Sequence, residues 1–393
     1  MNGTAGIAAY LEPRHVELAL RLEAIVRRRF GSIPIHATDA EARAAAPEIV
    51  RALGEEGLLS FAVTSAPASG GLEIRTLCLV REALAASSAL VDALFGLQAL
   101  GSAPITLAGS AELRARWLPA VASGAAIAGF AMTEPEAGSD VGAIATTARR
   151  DGDDYVLDGE KCFISNAGVA DFYTVFASTD RSRGTKGLSC FVVPADAGGV
   201  RFVKPYILSE PHPLGEIAFD DCRIPATNLL GAEGEGFKLG MRTLDRLRPT
   251  VAAAACGMAG RALAEALAHA RARRQFGVPL ADQQLVQAKL ARMATDLDAS
   301  RLLTYRAAWE LDRGGDRSPG RATREAAMAK LFATEAAQRI VDDAVQIHGG
   351  RGVLADSVVN RLYRSVRALR IYEGTSEIQH LVIARELLAA RPG

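Results

Sequence analysis

Apolar positions along the 393-residue chain change their spacing twice. In the first 128 residues they recur at helical intervals: Ala19, Leu22, Ile25 and Val26 form one stripe, and Ile49, Leu53 and Leu58 continue the pattern beyond Pro47. From 129 onward, short apolar runs alternate with turn signals. Tyr173-Thr174-Val175-Phe176 and Leu188-Ser189-Cys190-Phe191-Val192-Val193 read as strands. Asp151-Gly152, Asp158-Gly159, Arg183-Gly184, Gly198-Gly199 and Asp220-Asp221 read as the turns between strands. After Gly234 and Gly236 the helical spacing returns and persists. Long helices are expected at roughly 237–273, 280–313, 321–348 and 356–389, with Pro279 and Pro319 near the starts of the second and third. Leu285, Leu290, Met293, Leu297 and Leu303 mark a buried face on the second. The pattern predicts an α+β protein with an N-terminal helical domain (1–128), a central antiparallel β domain (129–235) and a C-terminal four-helix bundle (236–393).

Charge changes this picture in one place. Ala93 to Ala111 carries no charged residue, nearly the length of a membrane-spanning helix. Gly101, Ser102 and Pro104 interrupt the stretch, and Asp92 and Glu112 bracket it. Two short buried helices joined by a bend are expected there, and no membrane span. Forty-five basic residues balance forty-five acidic ones, so no overall field attracts nucleic acid or an anionic membrane. Cys78, Cys162, Cys190, Cys222 and Cys256 lie far apart, without metal-site spacing to a His. They read as reduced, mostly buried thiols of a cytoplasmic protein. The N-terminus lacks a basic region followed by an apolar one, so no secretory signal is expected.

Candidate chemistry is concentrated in five segments. Ile371-Tyr372-Glu373-Gly374-Thr375-Ser376-Glu377-Ile378-Gln379 sets a carboxylate beside a glycine in an apolar context. A carboxylate there can lose its water to a ligand and become a stronger base, and the glycine allows close backbone approach. Phe130-Ala131-Met132-Thr133 leads into a loop containing Ser139, which offers hydroxyls and N–H groups to the polar edge of a planar ligand. In Cys162-Phe163-Ile164-Ser165, an aromatic and a hydroxyl alternate on one strand face. Arg271-Ala272-Arg273-Arg274-Gln275-Phe276-Gly277 offers guanidinium forks for a pyrophosphate and a ring for an adenine. A basic helix end is equally what the helix dipole favours. Gln346-Ile347-His348-Gly349-Gly350 ends a helix at two glycines, and His348, without a nucleophile or metal partner in the sequence, reads as a helix-end residue.

In this order and spacing the five segments resemble the acyl-CoA dehydrogenase family, over nearly the whole chain. The resemblance implies FAD held between the β domain and the C-terminal bundle, in a homotetramer whose neighbouring subunits complete each cofactor site. Phe130, Met132, Thr133 and Ser139 would line the isoalloxazine, with Phe163 and Ser165 flanking it, Ser165 toward flavin N5. Arg273, Gln275, Phe276, Gln284, Gln346, Gly349 and Gly350 would reach FAD as well, several of them from a neighbouring subunit. Thr375 and Glu377 would complete the adenosine side. Glu373 matches the base that removes the α-proton of an acyl-thioester, and Ser139, Asp245, Arg248 and Gly374 match substrate-side positions. The implied reaction is α,β-dehydrogenation of an acyl-CoA to the trans-2-enoyl-CoA, with an electron-transfer flavoprotein as acceptor.

Departures qualify the match. Relatives commonly carry Trp and Thr where Phe163 and Ser165 stand, and some place the base at the position of Leu247. Asp356-Ser357-Val358 and Pro211-His212-Pro213-Leu214-Gly215 differ from the usual pattern. An acyl-CoA oxidase, a dehydrogenase of carrier-protein thioesters and a non-catalytic binding protein of the same fold stay open, as do the acyl group's length and branching. The absence of arginine from Ser87 to Leu100 argues against a dicarboxylic acyl group.

Overall fold

The computed structural model describes residues 4–31, 38–63, 72–314 and 319–389. They form two compact units, each drawn from separate stretches of chain: Pro34–Glu73 with Ala93–Leu244, and Met1–Ile33 with Ile74–Asp92 and Asp245–Gly393.

The first unit holds the sheet. Its strands are β1 (Ala128–Ala131), β2 (Thr147–Asp151), β3 (Asp154–Ser165), β4 (Phe172–Ser178), β5 (Leu188–Pro194), β6 (Val200–Pro205) and β7 (Leu214–Pro225). They run in the order β1-β4-β2-β3-β7-β6, with β5 on β4. Pairing is mostly antiparallel, as expected, but β4 returns alongside β1 and the start of β2 in parallel. Asp151-Gly152 closes the β2–β3 hairpin, Gly152 supplying a φ of 63°. Two expected turns are not turns. Asp158-Gly159 lies within β3 and Asp220-Asp221 within β7, opposite each other where the register slips between Leu157 and Gly159. The Asp221 N–H donates to Asp158 Oδ1 at 2.8 Å, and both Asp221 and Gly159 have positive φ. Residues that tolerate positive φ serve a bulge as readily as a turn, and sequence alone does not separate the two.

Helix α2 (Asp39–Glu55) opens with a Thr38–Glu41 capping box and continues through Pro47. Helix α5 (Ala111–Ser123) is capped by Ser110, whose hydroxyl accepts from Leu113 N–H at 3.2 Å, and sets Trp117 against Phe172 with centroids 4.4 Å apart. Instead of two helices joined by a bend, the charge-free stretch is one continuous helix, α4 (Ala89–Ala108). A Cβ on Gly101 would lie 2.7 Å from the Ala128 Cβ, so this glycine serves close packing of helix on sheet. Ser102 donates back to the Gln98 carbonyl, and Pro104 forfeits a single N–H bond.

The second unit is helical: α1 (Pro13–Ile25), α3 (Ile74–Ser87), most of α6 (Gly236–Ala272), α7 (Gln284–Asp312), α8 (Pro319–His348), α9 (Val358–Leu369) and α10 (Ser376–Ala389). Of the stripe Ala19, Leu22, Ile25 and Val26, the last three are buried and Ala19 is half-buried. The core is rich in alanine (Ala252, Ala255, Ala259, Ala333, Ala337), which lets backbones approach closely. A Cβ on Gly257 of α6 would come within 2.2 Å of the Glu82 carbonyl of α3. Met293 and Leu297 are buried in α7 as expected, but Leu285 is 83% exposed. At 3.6 residues per turn Leu285 sits about 120° around the helix from Leu297, outside the packed stripe. The expected helix over 356–389 is interrupted: α9 stops at Leu369 and α10 starts at Ser376. All five cysteines are free and buried, as expected.

Helices α4 and α6 are both long and apolar enough to cross a membrane, but 83% and 67% of their most apolar windows are buried within the protein.

Candidate active site

The break between α9 and α10 presents Glu373. Its φ is 54° and that of Gly374 is 93°. Glycine suits this backbone angle, and a Cβ there would lie 2.6 Å from Gln379 Nε2, the end of a side chain that would have to shift. Three cationic or amide donors hold the turn by its carbonyls. Arg248 Nε and Gln379 Nε2 donate to the Glu373 carbonyl at 3.3 Å each. Lys330 Nζ and Gln379 Nε2 donate to the Gly374 carbonyl at 2.8 and 2.9 Å. On the α10 side, Thr375 Oγ1 caps the helix by accepting from Ile378 N–H at 3.3 Å. Ser376 and Arg370 both donate to Glu335 Oε1, closing the other flank.

The Glu373 carboxylate is left poor in partners. Its Oε2 is buried without a hydrogen-bond partner. Burial raises its pKa above the usual carboxylate range, and Arg81, Lys330 and Arg248 pull it part of the way back. Arg81 is itself clamped by Asp92 in a two-pronged pair (Nε–Oδ1 2.9 Å, Nη2–Oδ2 2.8 Å) and donates to Thr250 Oγ1 at 3.1 Å. Burial lowers Lys330 to about 8, although Glu373 favours its charge. Arg248 also pairs with Asp245, whose second oxygen accepts from Thr323 Oγ1 at 2.9 Å. The sequence pointed to Glu373, Gly374, Asp245 and Arg248, and the structure brings them together. It did not point to Lys330, Arg81 or Asp92, because nothing in their spacing links residues of three helices.

In the sheet unit, the candidate ring-binding residues form a second group. The Phe130 ring packs on Phe176 at 5.0 Å, and Met132 is buried. Thr133 is half-buried and Ser139 exposed. Lys161, wholly buried, donates to the carbonyls of Met132 (3.2 Å) and Phe176 (2.6 Å) and to Glu134 Oε1 (2.7 Å). It thereby pins the start of the loop. A second bulge in β3, between Lys161 and Ile164, turns Phe163 outward with φ 54°. Phe163 is 61% exposed, and its ring stacks on Tyr206 at 4.8 Å. Ser165 Oγ lies 2.9 Å from His212 Nε2.

A third group lies at the other end of α6. Arg273 follows the helix, and Gln275 and Phe276 sit on a tight hairpin of β8 (Arg274–Gln275) and β9 (Val278–Pro279). Phe276 is 94% exposed at φ 52°. Gln284, Gln346, Gly349 and Gly350 are also exposed. The His269 and His348 rings stack at 4.3 Å, and burial lowers the His269 pKa, helped by the charges of His348, Arg351 and Arg273. His348 ends α8 with its Nδ1 2.8 Å from the Ala344 carbonyl, a helix-end residue as read. Arg248 and Arg273, both on or next to α6, are about 37 Å apart along the helix axis.

Family models for the acyl-CoA dehydrogenase N-terminal, middle and C-terminal domains match residues 15–125, 129–222 and 234–388. The chain belongs to the acyl-CoA dehydrogenase family. It is 41% identical to a 3-(aryl)acrylate reductase of Clostridium sporogenes, over 87% of this chain and 90% of that protein. It is 42% identical to the mouse short-chain specific acyl-CoA dehydrogenase, over 86% of this chain and 82% of that one. Among solved structures, butyryl-CoA dehydrogenase of Megasphaera elsdenii superposes with a TM-score of 0.86 at 32% identity, covering 96% of this chain and 99% of that one. The protein is therefore an oxidoreductase, acting on acyl-CoA with FAD as cofactor. The residues fit that cofactor. Phe163 and Phe276 are large exposed aromatics at strained backbone angles, and Arg273 and Arg351 add positive charge beside exposed Gly349 and Gly350.

Proposed function

We propose that the chain catalyses α,β-dehydrogenation of an acyl-CoA thioester to the trans-2-enoyl-CoA, with Glu373 as the base that removes the α-proton. The observation carrying this reading is the Glu373 carboxylate: Oε2 is buried and unpartnered on a turn tied down by Arg248, Lys330 and Gln379. Such a carboxylate has lost solvation without gaining a neutralising pair, which strengthens it as a base. The backbone N–H of Glu373 would donate to the thioester oxygen, lowering the α-proton's pKa where negative charge develops. FAD, when bound, supplies the hydride acceptor for the β-carbon. Phe130, Met132, Thr133, Ser139, Phe163 and Ser165 would hold its ring, with Ser165 directed at N5. Thr375 and Glu377 would lie on the adenosine side. Ser139, Asp245, Arg248 and Gly374 would shape the substrate side.

Arg273, Gln275, Phe276, Gln346, Gly349 and Gly350 would serve the FAD of a neighbouring copy, and Gln284 would contact FAD as well. Supporting this is the separation of about 37 Å along α6 between Arg273 and Arg248, which holds the Glu373 turn. A homotetramer with an electron-transfer flavoprotein as acceptor, in the cytoplasm, completes the reading.

Anaerobic titration of the purified flavoprotein with short, long, branched and aromatic acyl-CoAs tests it. Bleaching of the flavin by one class, lost in Glu373→Gln, is the expected outcome. Bleaching that survives Glu373→Gln removes Glu373 as the base. Bleaching only by a carrier-protein thioester, or rapid reoxidation of the product-bound enzyme by air, replaces the CoA or the dehydrogenase assignment respectively.

A further inference from the structure

His212 stands between Pro211 and Pro213 in the segment that joins β6 to β7. Its Nε2 lies 2.9 Å from Ser165 Oγ, whereas its Nδ1 is buried with no hydrogen-bond partner. An orphaned buried N–H is rarer in proteins than an orphaned acceptor, so the single imidazole proton belongs on Nε2. A second proton is disfavoured by burial and by Arg43, which together lower His212 to about 4. Arg43 is fixed nearby through bonds to the Ala167 and Leu214 carbonyls. The neutral ring therefore donates Nε2–H to Ser165 Oγ. Having accepted that bond, the serine hydroxyl must direct its own proton elsewhere. Ser165 is half-exposed on the strand segment that carries the outward-turned Phe163, so the open side lies there.

We propose that His212 is a positioning residue that holds the Ser165 hydroxyl as a hydrogen-bond donor toward the flavin ring covering Phe163. The inference rests on the placement of FAD proposed above. A donor fixed in this way favours a flavin whose facing nitrogen is an acceptor. That nitrogen accepts in oxidised FAD and carries a proton in reduced FAD. His212 thus selects for the oxidised form and sets the potential of the bound cofactor.

The test compares wild type, His212→Leu, His212→Gln and Ser165→Ala as reconstituted holoenzymes. Affinity for oxidised and for reduced FAD is measured along with the midpoint potential. His212→Leu is expected to weaken oxidised FAD about tenfold and leave reduced FAD unchanged, which raises a two-electron midpoint by about 30 mV. His212→Gln, whose amide N–H can replace Nε2–H, should restore most of the difference, and Ser165→Ala should reproduce the leucine variant. Nitrogen NMR of the histidine-labelled protein should find His212 neutral and protonated on Nε2. Equal weakening of both redox forms, or a potential shifted by Ser165→Ala but not by His212→Leu, makes His212 merely structural and overturns the proposal. A potential unmoved by Ser165→Ala overturns the placement of the flavin against Ser165, and this inference with it. An Nδ1-protonated ring does so independently of any variant's folding.

Discussion

Lys330 Nζ donates to the Gly374 carbonyl at 2.8 Å, from a side chain with no exposed surface. The bond fixes the turn next to Glu373, and the charge helps hold down the Glu373 pKa. Two substitutions separate these roles. Lys330→Gln keeps an N–H donor and removes the charge, so the acid limb of the kcat/KM profile should move to higher pH with little loss of stability. Lys330→Met removes both, and the lost charge-assisted bond should cost about 1.5–3 kcal/mol in urea unfolding. Equal pH profiles for wild type and Lys330→Gln would show that the charge does not reach Glu373.

Glu373→Gln should separate function from stability. Loss of a general base typically costs about 10²–10⁴ in rate, read here as slowed flavin bleaching. The folded-state pKa of Glu373 is raised, so its protonated form is the one the fold prefers. Relative to the uncharged glutamine variant, wild type therefore loses stability as pH rises through the folded-state pKa. At neutral pH the glutamine variant should be the more stable protein, and below the unfolded value of 4.5 the difference should vanish. Thermal melts at pH 4 and pH 7.5 check both statements.

Helices α6, α7 and α8 were legible because their apolar spacing repeats over many residues, and β4 and β5 because their apolar runs lie between turn signals. What escaped the sequence was local. The expected helix over 356–389 runs through the Tyr372-Glu373-Gly374 break because only six residues separate α9 from α10, too short an interruption for apolar spacing to register. Asp158-Gly159 and Asp220-Asp221 carry turn chemistry but serve a bulge, a choice made by strand pairing and not by the dipeptide. At the site, Glu373 and Gly374 could be read because they are adjacent in sequence. Lys330 and His212 could not, because they act on partners 44 and 47 positions away, and the Arg81–Asp92 pair joins two different helices at a spacing that no helical or strand period singles out.

The Lys161–Glu134 pair should prove essential to folding and flavin retention together. Burial lowers Lys161 to about 8, while Glu134 stays below the usual carboxylate range because Lys161, Thr146 and Ala145 outweigh its burial. Lys161→Met leaves the Glu134 carboxylate buried without its cation, which should cost about 3–5 kcal/mol. The Met132 carbonyl also loses its donor, so the purified variant should contain less FAD than wild type at equal protein concentration. Adding Glu134→Gln should recover much of the stability, since the amide carries no charge to bury. If the double variant is no more stable than Lys161→Met, the pair is not what holds this loop.

Subunit complementation decides whether one FAD is shared between two copies. If Glu373 acts in its own subunit's site while Phe276 completes the neighbour's, then Glu373→Gln and Phe276→Ala each spoil a different half of one site. Phe276 is 94% exposed, so its truncation should leave the isolated fold intact. Homogeneous assemblies of either variant should be poorly active. In a mixed pair related by twofold symmetry, one site combines the intact Glu373 of one chain with the intact Phe276 of the other, and its counterpart lacks both. Random reassembly of equal amounts makes half of the pairs mixed, each with one sound site, so about a quarter of wild-type activity should return. Recovery to that level, with none from mixing Glu373→Gln with Gly374→Ala, would establish the shared site. No recovery on mixing, with hybrids verified by mass, would mean that every chain builds its own site alone.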